Sequence, residues 1–396
     1  MLKIAVFVKQ VPEDGGGFQY ELTLCKILQE RFNNIELIFC SNDKRVVPAF
    51  AKFDILVKFI KISIFDKIHR AMAENFYIFK VFSKLGFKYS SLEKYLLTNK
   101  VDLVYFLSPN IVSSYLSEIN YIITIWDLCH RDYFEFPEVR NNQEFEIREK
   151  LLNTNLKKAV AVIVDSELGK QNIITRYGID SMRVKVIPFI PPQNIAMEQE
   201  SVDIKKKYNL ETNYVFYPAQ FWAHKNHVYI LDALKILKDE HRVMLSALFT
   251  GSDKGNMQYI EKYADKLGIA KQIKFIGFVA NKELRSLYQQ ALALVMPTYF
   301  GPTNLPPLEA FQLECPVCYS DLPGLREQVE DAAFLLDLNN PQSLVNQLIT
   351  IMEDATVVER KIKRGLELVE NWDAQKIYGE LLPIINGFAQ KRKLWA

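Results

Sequence analysis

The chain has 396 residues, of which 49% are hydrophobic and 24% charged, and it carries a net charge of +2. That length exceeds one ordinary domain and points to two, each able to bury its own core, while the small net charge argues against a nucleic-acid binder that works through a general basic surface. Five cysteines (Cys25, Cys40, Cys129, Cys315 and Cys318) are an odd number in a long chain, which argues against a secreted disulfide framework. The Cys315-Pro-Val-Cys318 spacing has no second pair to complete a zinc site and reads as a buried strand. The N-terminus lacks the features of a signal peptide, and no apolar run reaches the roughly 18 residues of a membrane span. The expected location is cytoplasmic.

Short apolar runs alternate with amphipathic stretches from the start of the chain. Strands are predicted at 3–8, 35–40, 54–60, 102–108, 121–126 and 159–165, with helices at 18–32 and 144–157. Most of these runs are continuous β-branched and aromatic residues, as in strands buried on both faces of a parallel sheet. Asp165-Ser166-Glu167 reads as a strand end followed by an N-cap serine. Around 188–212 the pattern gives way to three prolines and then polar residues, which predicts a linker. Alternation then resumes, with strands at 214–219, 244–251, 273–279, 292–297, 315–320 and 333–337. Helices are predicted at 226–239, 257–267, 281–290, 306–314, 341–353 and 356–371. The fold class is therefore α/β, with two doubly wound, Rossmann-like domains facing a cleft. The expected divisions are 1–190, a linker at 191–212, a second domain at 213–371, and a final helical segment at 372–396 that packs back on the first.

Segment 297–310, PTYFGPTNLPPLEA, is the densest in chemistry. Pro306 and Pro307 mark a helix start, because proline fits the first turn and has no N–H to lose. Backbone amides then cluster at Thr303, Asn304 and Leu305, at the positive end of the helix dipole, where an anion can sit. Glu309 lies about one turn further on and can accept from sugar hydroxyls. Lys225 follows the strand at 214–219 and opens a helix, a poor place for a cation unless it meets an anion. Gly15-Gly16-Gly17 follows the first strand, and small residues there allow close approach of a ligand.

Segments 159–188, 214–235 and 275–310 together resemble the retaining, GT-B-fold glycosyltransferases of family 4 (glycosyl transferases group 1). The resemblance implies a metal-independent hexosyltransferase that moves a sugar from a nucleotide-diphosphate-sugar donor to a hydroxyl, with no cofactor. It implies a place in bacterial cell-surface polysaccharide or glycolipid synthesis, with a glycan or lipid-linked glycan as acceptor. By this likeness Lys225 holds the donor diphosphate and Glu309 the ribose hydroxyls. Gly16, Gly17, Gln220, His224, Val279, Thr303, Asn304 and Leu305 complete the donor side, and Asp127, His130 and Arg131 form the acceptor side. Asp127, Lys225 and Glu309 are the expected catalytic set.

The chain departs from the family pattern at three places. Gly301 replaces the first glutamate of Glu-x7-Glu, Gln220 stands where an arginine is common, and Trp126 replaces the histidine of a His-Asp pair. These departures keep open an inactive nucleotide-binding partner subunit, and a nucleotide-sugar epimerase on the same architecture is a further alternative. Between 52 and 100, ten basic residues face four acidic ones and interleave with aromatic residues including Phe59, Phe65, Phe76, Tyr77, Phe82 and Phe87. That mixture fits either a solvated helix face or a contact with anionic lipid at the inner face of the membrane.

Overall fold

The computed structural model describes residues 1–73, 76–84, 87–191, 200–370 and 373–395. The chain divides into two compact units. The first comprises Met1–Leu128, Phe145–Ile187 and Ala374–Ala396, and the second Cys129–Glu144 and Pro188–Asp373. Among the described residues each unit is built on one all-parallel sheet, and both are Rossmann-like.

In the first unit the strands are β1 (Leu2–Phe7), β2 (Ile35–Ser41), β3 (Val57–Phe59), β4 (Leu103–Phe106), β5 (Asn120–Thr124), β6 (Ala161–Val164) and β7 (Val184–Val186), in the order 3-2-1-4-5-6-7. Every residue of β4 and β6 is buried, as the continuous apolar runs require. The predicted strand at 54–60 shrinks to three residues, because Asp54 has a positive φ of 59° and Ile55 bonds back to Phe50. Strand β7 was not foreseen: a three-residue Val-Lys-Val run is too short to show a pattern. Ser166 caps the helix Glu167–Tyr177, accepting from the Gly169 N–H at 3.0 Å. The C-terminal helix Ala374–Arg392 buries Ile377, Leu381, Ile385 and Phe388 along one stripe. Its Tyr378 packs edge-on to Phe32, and Arg392 pairs with Asp102 at 3.0 Å.

The second unit contains β8 (Tyr214–Pro218), β9 (Ser246–Thr250), β10 (Ile273–Gly277), β11 (Ala293–Met296), β12 (Val317–Ser320) and β13 (Phe334–Leu336), in the order 10-9-8-11-12-13. All six coincide with predicted strands. Cys315 and Cys318 are free and buried with this sheet. Of the expected linker, 192–199 lies outside the described residues. Beyond it, Ile204–Tyr208 is a short helix that buries Ile204, and Val202 donates to Ser286 Oγ at 2.9 Å. The expected boundary at 190 also changes, since Cys129–Glu144 groups with the second unit although it interrupts the chain of the first. Among the described residues no helix is long and apolar enough to cross a membrane.

The helix Leu305–Gln312 is held from behind by the helix Ala355–Glu370. Gly365 makes that approach possible, because a Cβ there would lie 2.8 Å from Phe311 Cγ, well inside contact distance. Gly365→Ala should therefore lower stability by about 1–3 kcal/mol through overpacking, with Phe311→Leu restoring part of the loss. A denaturation midpoint unmoved by Gly365→Ala would contradict this packing.

Candidate functional site

Strands β8 and β11 are neighbours, and the sheet order reverses between them. In open α/β sheets the loops leaving two such strands diverge and leave room for a ligand beyond their carboxyl ends. Here those loops are 219–226 and 297–304. Lys225 ends the single turn Ala223–Lys225 and is followed by Asn226 at φ 55°, which redirects the chain into the helix His227–Glu240. Tyr217 donates to the Lys225 carbonyl at 3.0 Å, and the Tyr299 N–H to the His224 carbonyl at 3.0 Å, so the two loops are tied together. Lys225 Nζ lies 3.4 Å from Asn304 Oδ1. The structure thus brings together two residues 79 positions apart that the sequence reading assigned to one anion.

Asn304 is the N-cap of the helix Leu305–Gln312, yet its side chain makes no capping bond. Its Nδ2 instead donates to Tyr319 Oη at 2.7 Å. Gln328 holds its backbone on both sides: Oε1 accepts the Asn304 N–H at 2.9 Å, and Nε2 donates to its carbonyl at 2.6 Å. This corrects the expectation of an amide available at Asn304. Pro306 and Pro307 contribute no N–H, so two further donors of an ordinary helix start are missing. What remains for an anion is the Leu305 amide, the region of Thr303, the helix dipole and the Lys225 ammonium.

Gly301 has φ 90°, and a Cβ there would meet the Thr303 carbonyl oxygen at 2.9 Å. Its N–H donates to Cys129 Sγ at 3.2 Å. No larger residue fits this turn without strain, so the absent glutamate has a backbone cause. Glu309 is 8% exposed, and Tyr288, itself fully buried, donates to its Oε2 at 2.6 Å. Burial raises the carboxyl pKa to about 7, against the lowering effect of the Tyr288 bond.

His224 is buried, stacks on Phe300 with ring centres 4.0 Å apart, and is bonded through Nδ1 to Glu138. Gln220 accepts from Trp222 Nε1 at 2.9 Å. Val279, just past β10, packs partly buried against the core of the second unit. In the first unit, Gly16 begins the helix Gly16–Arg31. The close approach at Gly17 is to protein: a Cβ there would lie 3.1 Å from the ring of Trp126 and 3.2 Å from Gln10 Oε1. Asp127 accepts from Arg148 Nη2 at 2.7 Å. His130 and Arg131 fall in the stretch that groups with the second unit, and Asp127 in the first. His130 is fully buried.

Gln328, Tyr319, Tyr288 and Glu138 were not foreseen. Their spacing from the site residues they hold, between 15 and 86 positions, leaves no local pattern to read. Glu21 was also missed. Fully buried on the helix Gly16–Arg31, it accepts from the Lys9 and Gln10 N–H groups at 2.8 and 2.9 Å and from Ser108 Oγ at 2.7 Å. It joins the loops after β1 and β4 at the corresponding reversal of the first sheet.

Residues 198–367 match the family described as glycosyl transferases group 1. The chain is 23% identical to O-antigen chain mannosyltransferase B of Escherichia coli, over 59% of this chain and 62% of the relative. It is 24% identical to O-antigen chain mannosyltransferase RfbU of Salmonella typhimurium, over 53% and 56%. The matched region thus spans about three fifths of these relatives' length. Among solved structures, Anabaena Alr3699/HepE in complex with UDP superposes with a TM-score of 0.73 at 16% identity, covering 98% of this chain and 100% of that one. A glycosyltransferase from Rickettsia africae superposes with a TM-score of 0.71 at 15% identity, covering 98% of each chain. At these identities the structural likeness shows the fold.

The Glu309 carboxyl makes stability depend on pH with a definite sign. Its pKa is about 7 in the folded chain against an ordinary 4.5. The folded state therefore binds more protons between those values, and stability falls as pH rises through that window. Glu309→Gln should remove the penalty, raising stability by roughly 1–3 kcal/mol at about pH 8 and by little at about pH 4.5. Equal shifts in unfolding midpoint at both pH values would contradict the buried, proton-holding carboxyl.

Proposed function

From the match of residues 198–367 to the glycosyl transferases group 1, we propose that the protein transfers a hexosyl group from a nucleotide-diphosphate-sugar to a hydroxyl of a glycan or lipid-linked glycan. Transfer proceeds with retention at the anomeric carbon, without a metal ion or a cofactor. The observation that carries the reading is Lys225 Nζ beside the helix start at Asn304, 3.4 Å from Oδ1. An ammonium group and the positive end of a helix dipole stabilise a diphosphate as it gains charge on leaving. Glu309 accepts from the ribose hydroxyls, and the backbone near Val279 receives the base. His224 and Gln220 complete the donor side. The two O-antigen mannosyltransferases among the relatives support a role in cell-surface polysaccharide synthesis.

On the acceptor side, Asp127 orients the incoming hydroxyl. Its carboxylate also accepts from Arg148 Nη2 at 2.7 Å, which fixes it in place to orient a hydroxyl. His130 and Arg131 are assigned to the same side, as Gly16 and Gly17 are to the donor side. A second reading, a nucleotide-binding subunit without transfer activity, is favoured by Gly301, whose turn leaves no room for a carboxylate side chain. Nucleoside diphosphate binding without release of sugar from any donor would select that reading.

Segment 52–100 is assigned a contact with anionic membrane. Leu56, Ile64, Phe65, Tyr77 and Phe87 are all exposed, among the lysines at 58, 61, 67, 80, 84 and 88. Ile60, in the same stretch of the chain, is buried. Glu74 and the side chains of Phe76 and Phe82 lie outside the described residues.

Two outcomes follow. Lys225→Ala should lower transfer or donor hydrolysis by about 10²–10³-fold while the fold persists, and an unchanged rate would reject its role. The whole chain should sediment with vesicles containing anionic lipid, less so at high salt. A Phe65→Ser, Tyr77→Ser double variant should weaken that binding about fivefold or more. Equal binding to neutral vesicles, or none to either kind, would remove the membrane contact.

A further inference from the structure

Four rings of the second unit form a near-parallel column. Tyr133 stacks on Phe300 at 5.8 Å and 23°, Phe300 on His224 at 4.0 Å and 12°, and His224 on Trp222 at 6.4 Å and 21°. Gln220 fixes Trp222 through its Nε1, and Lys254 Nζ lies 5.6 Å from the centre of the same ring. Of the four, only the imidazole gains or loses a proton near neutral pH.

The edge of that imidazole meets a carboxylate. Glu138 Oε1 accepts from the His224 backbone N–H at 2.8 Å and is bonded to Nδ1. The two side chains are 9% and 10% exposed. Burial pushes the Glu138 carboxyl up, but the hydrogen bonds and charge of His224 outweigh it, and the carboxyl lies below its ordinary value.

The π face of Phe300, 4.0 Å away, and a buried carboxylate favour a charged ring over a neutral one. Opposing them are burial and the ammonium of Lys225, the next residue. Lys254 adds a more distant positive charge behind Trp222. His227 opposes nothing, because burial first, and then Lys225 and His224, hold its pKa at about 3 and leave it neutral.

We propose that His224 is a second cationic contact for the donor diphosphate, and that Glu138 is the positioning residue that keeps it protonated and oriented. The proposal rests on reading Lys225 and the turn at 303–305 as the diphosphate cradle. A ring with a proton on both nitrogens keeps Nδ1 on Glu138 and offers Nε2–H to a phosphate oxygen. It supplies the positive charge that Gln220, in place of an arginine, does not. Glu138 reaches the site on the Cys129–Glu144 stretch, which the chain inserts into the second unit from between two parts of the first.

The test is equilibrium binding of UDP-glucose, GDP-mannose, ADP-glucose and dTDP-glucose to the full chain across the neutral range. These donors carry no phosphate that titrates there, so the pH dependence belongs to the protein. Affinity of the unaltered chain should decline toward the alkaline side. Glu138→Gln should move that decline to lower pH, weakening binding about tenfold at about pH 8 and less than about twofold at about pH 5.5. Glu309 titrates in the same window with the opposite effect, is common to both proteins, and cancels in their ratio.

A loss by the same factor at every pH would reduce Glu138 to a structural contact and overturn the proposal. Ring ¹⁵N shifts of His224 in the unaltered chain decide independently, even where Glu138→Gln does not fold. A doubly protonated imidazole at about pH 6.5 supports the proposal and a neutral one overturns it. If the unaltered chain binds none of the four donors at any pH, the cradle reading falls first and this one with it. Donor binding in which the ratio of the two affinities ignores pH would sink this one alone.

Discussion

Asn304 caps the helix Leu305–Gln312 with its backbone alone and turns its side chain to Lys225 and Tyr319. Ordinarily an asparagine at this position would satisfy an amide of its own helix. Here the amides it would cap belong to Pro306 and Pro307 and do not exist, and Gln328 holds the Asn304 backbone, so the side chain joins the loop after β8 to the strand β12. The consequence is a fixed helix start with an ammonium group beside it. Two prolines in the first turn sharpen the start and remove donors at the same time. Lys225 and the dipole therefore carry more of the task of meeting an anion than the amides do.

Sheet order explains why this junction exists at all. Lys225 and Asn304 lie far apart in the chain, but they follow β8 and β11, which are adjacent where the order reverses. The first unit has the same reversal between β1 and β4, and there Glu21 bridges the two departing loops. Burial raises that carboxyl to about 7 even though three hydrogen bonds and Lys9 pull the other way. Each unit thus places a buried carboxyl with a near-neutral pKa close to its reversal point: Glu21 in one and Glu309 in the other.

Much of this was legible in the residues. Strands buried on both faces announce themselves as continuous apolar runs, so all six strands of the second sheet were readable and six of seven in the first. Pro306-Pro307 marked the helix start to within a residue, because proline's missing N–H leaves few places for it. Lys225 was legible as a cation misplaced for a helix N-terminus. The supporting residues were not, since Gln328, Tyr319, Tyr288 and Glu138 are brought in by tertiary packing and have no spacing signature. Nor could the sequence show that Gly301 is required by its backbone. A missing glutamate reads as a lost function, whereas the φ of 90° and the nearby carbonyl show a turn built for glycine. The insertion of Cys129–Glu144 into the second unit escaped for a similar reason: a local hydrophobic pattern does not state which core it joins.

Hydrogen exchange on the full chain, with and without saturating nucleoside diphosphate, tests the central claim most directly. A ligand that binds only the native state slows the local openings of the segments it touches. The account predicts slower exchange at 222–226 and at 303–308, with Leu305 among the affected amides. Tight binding that leaves both segments unchanged would place the anion elsewhere and contradict it.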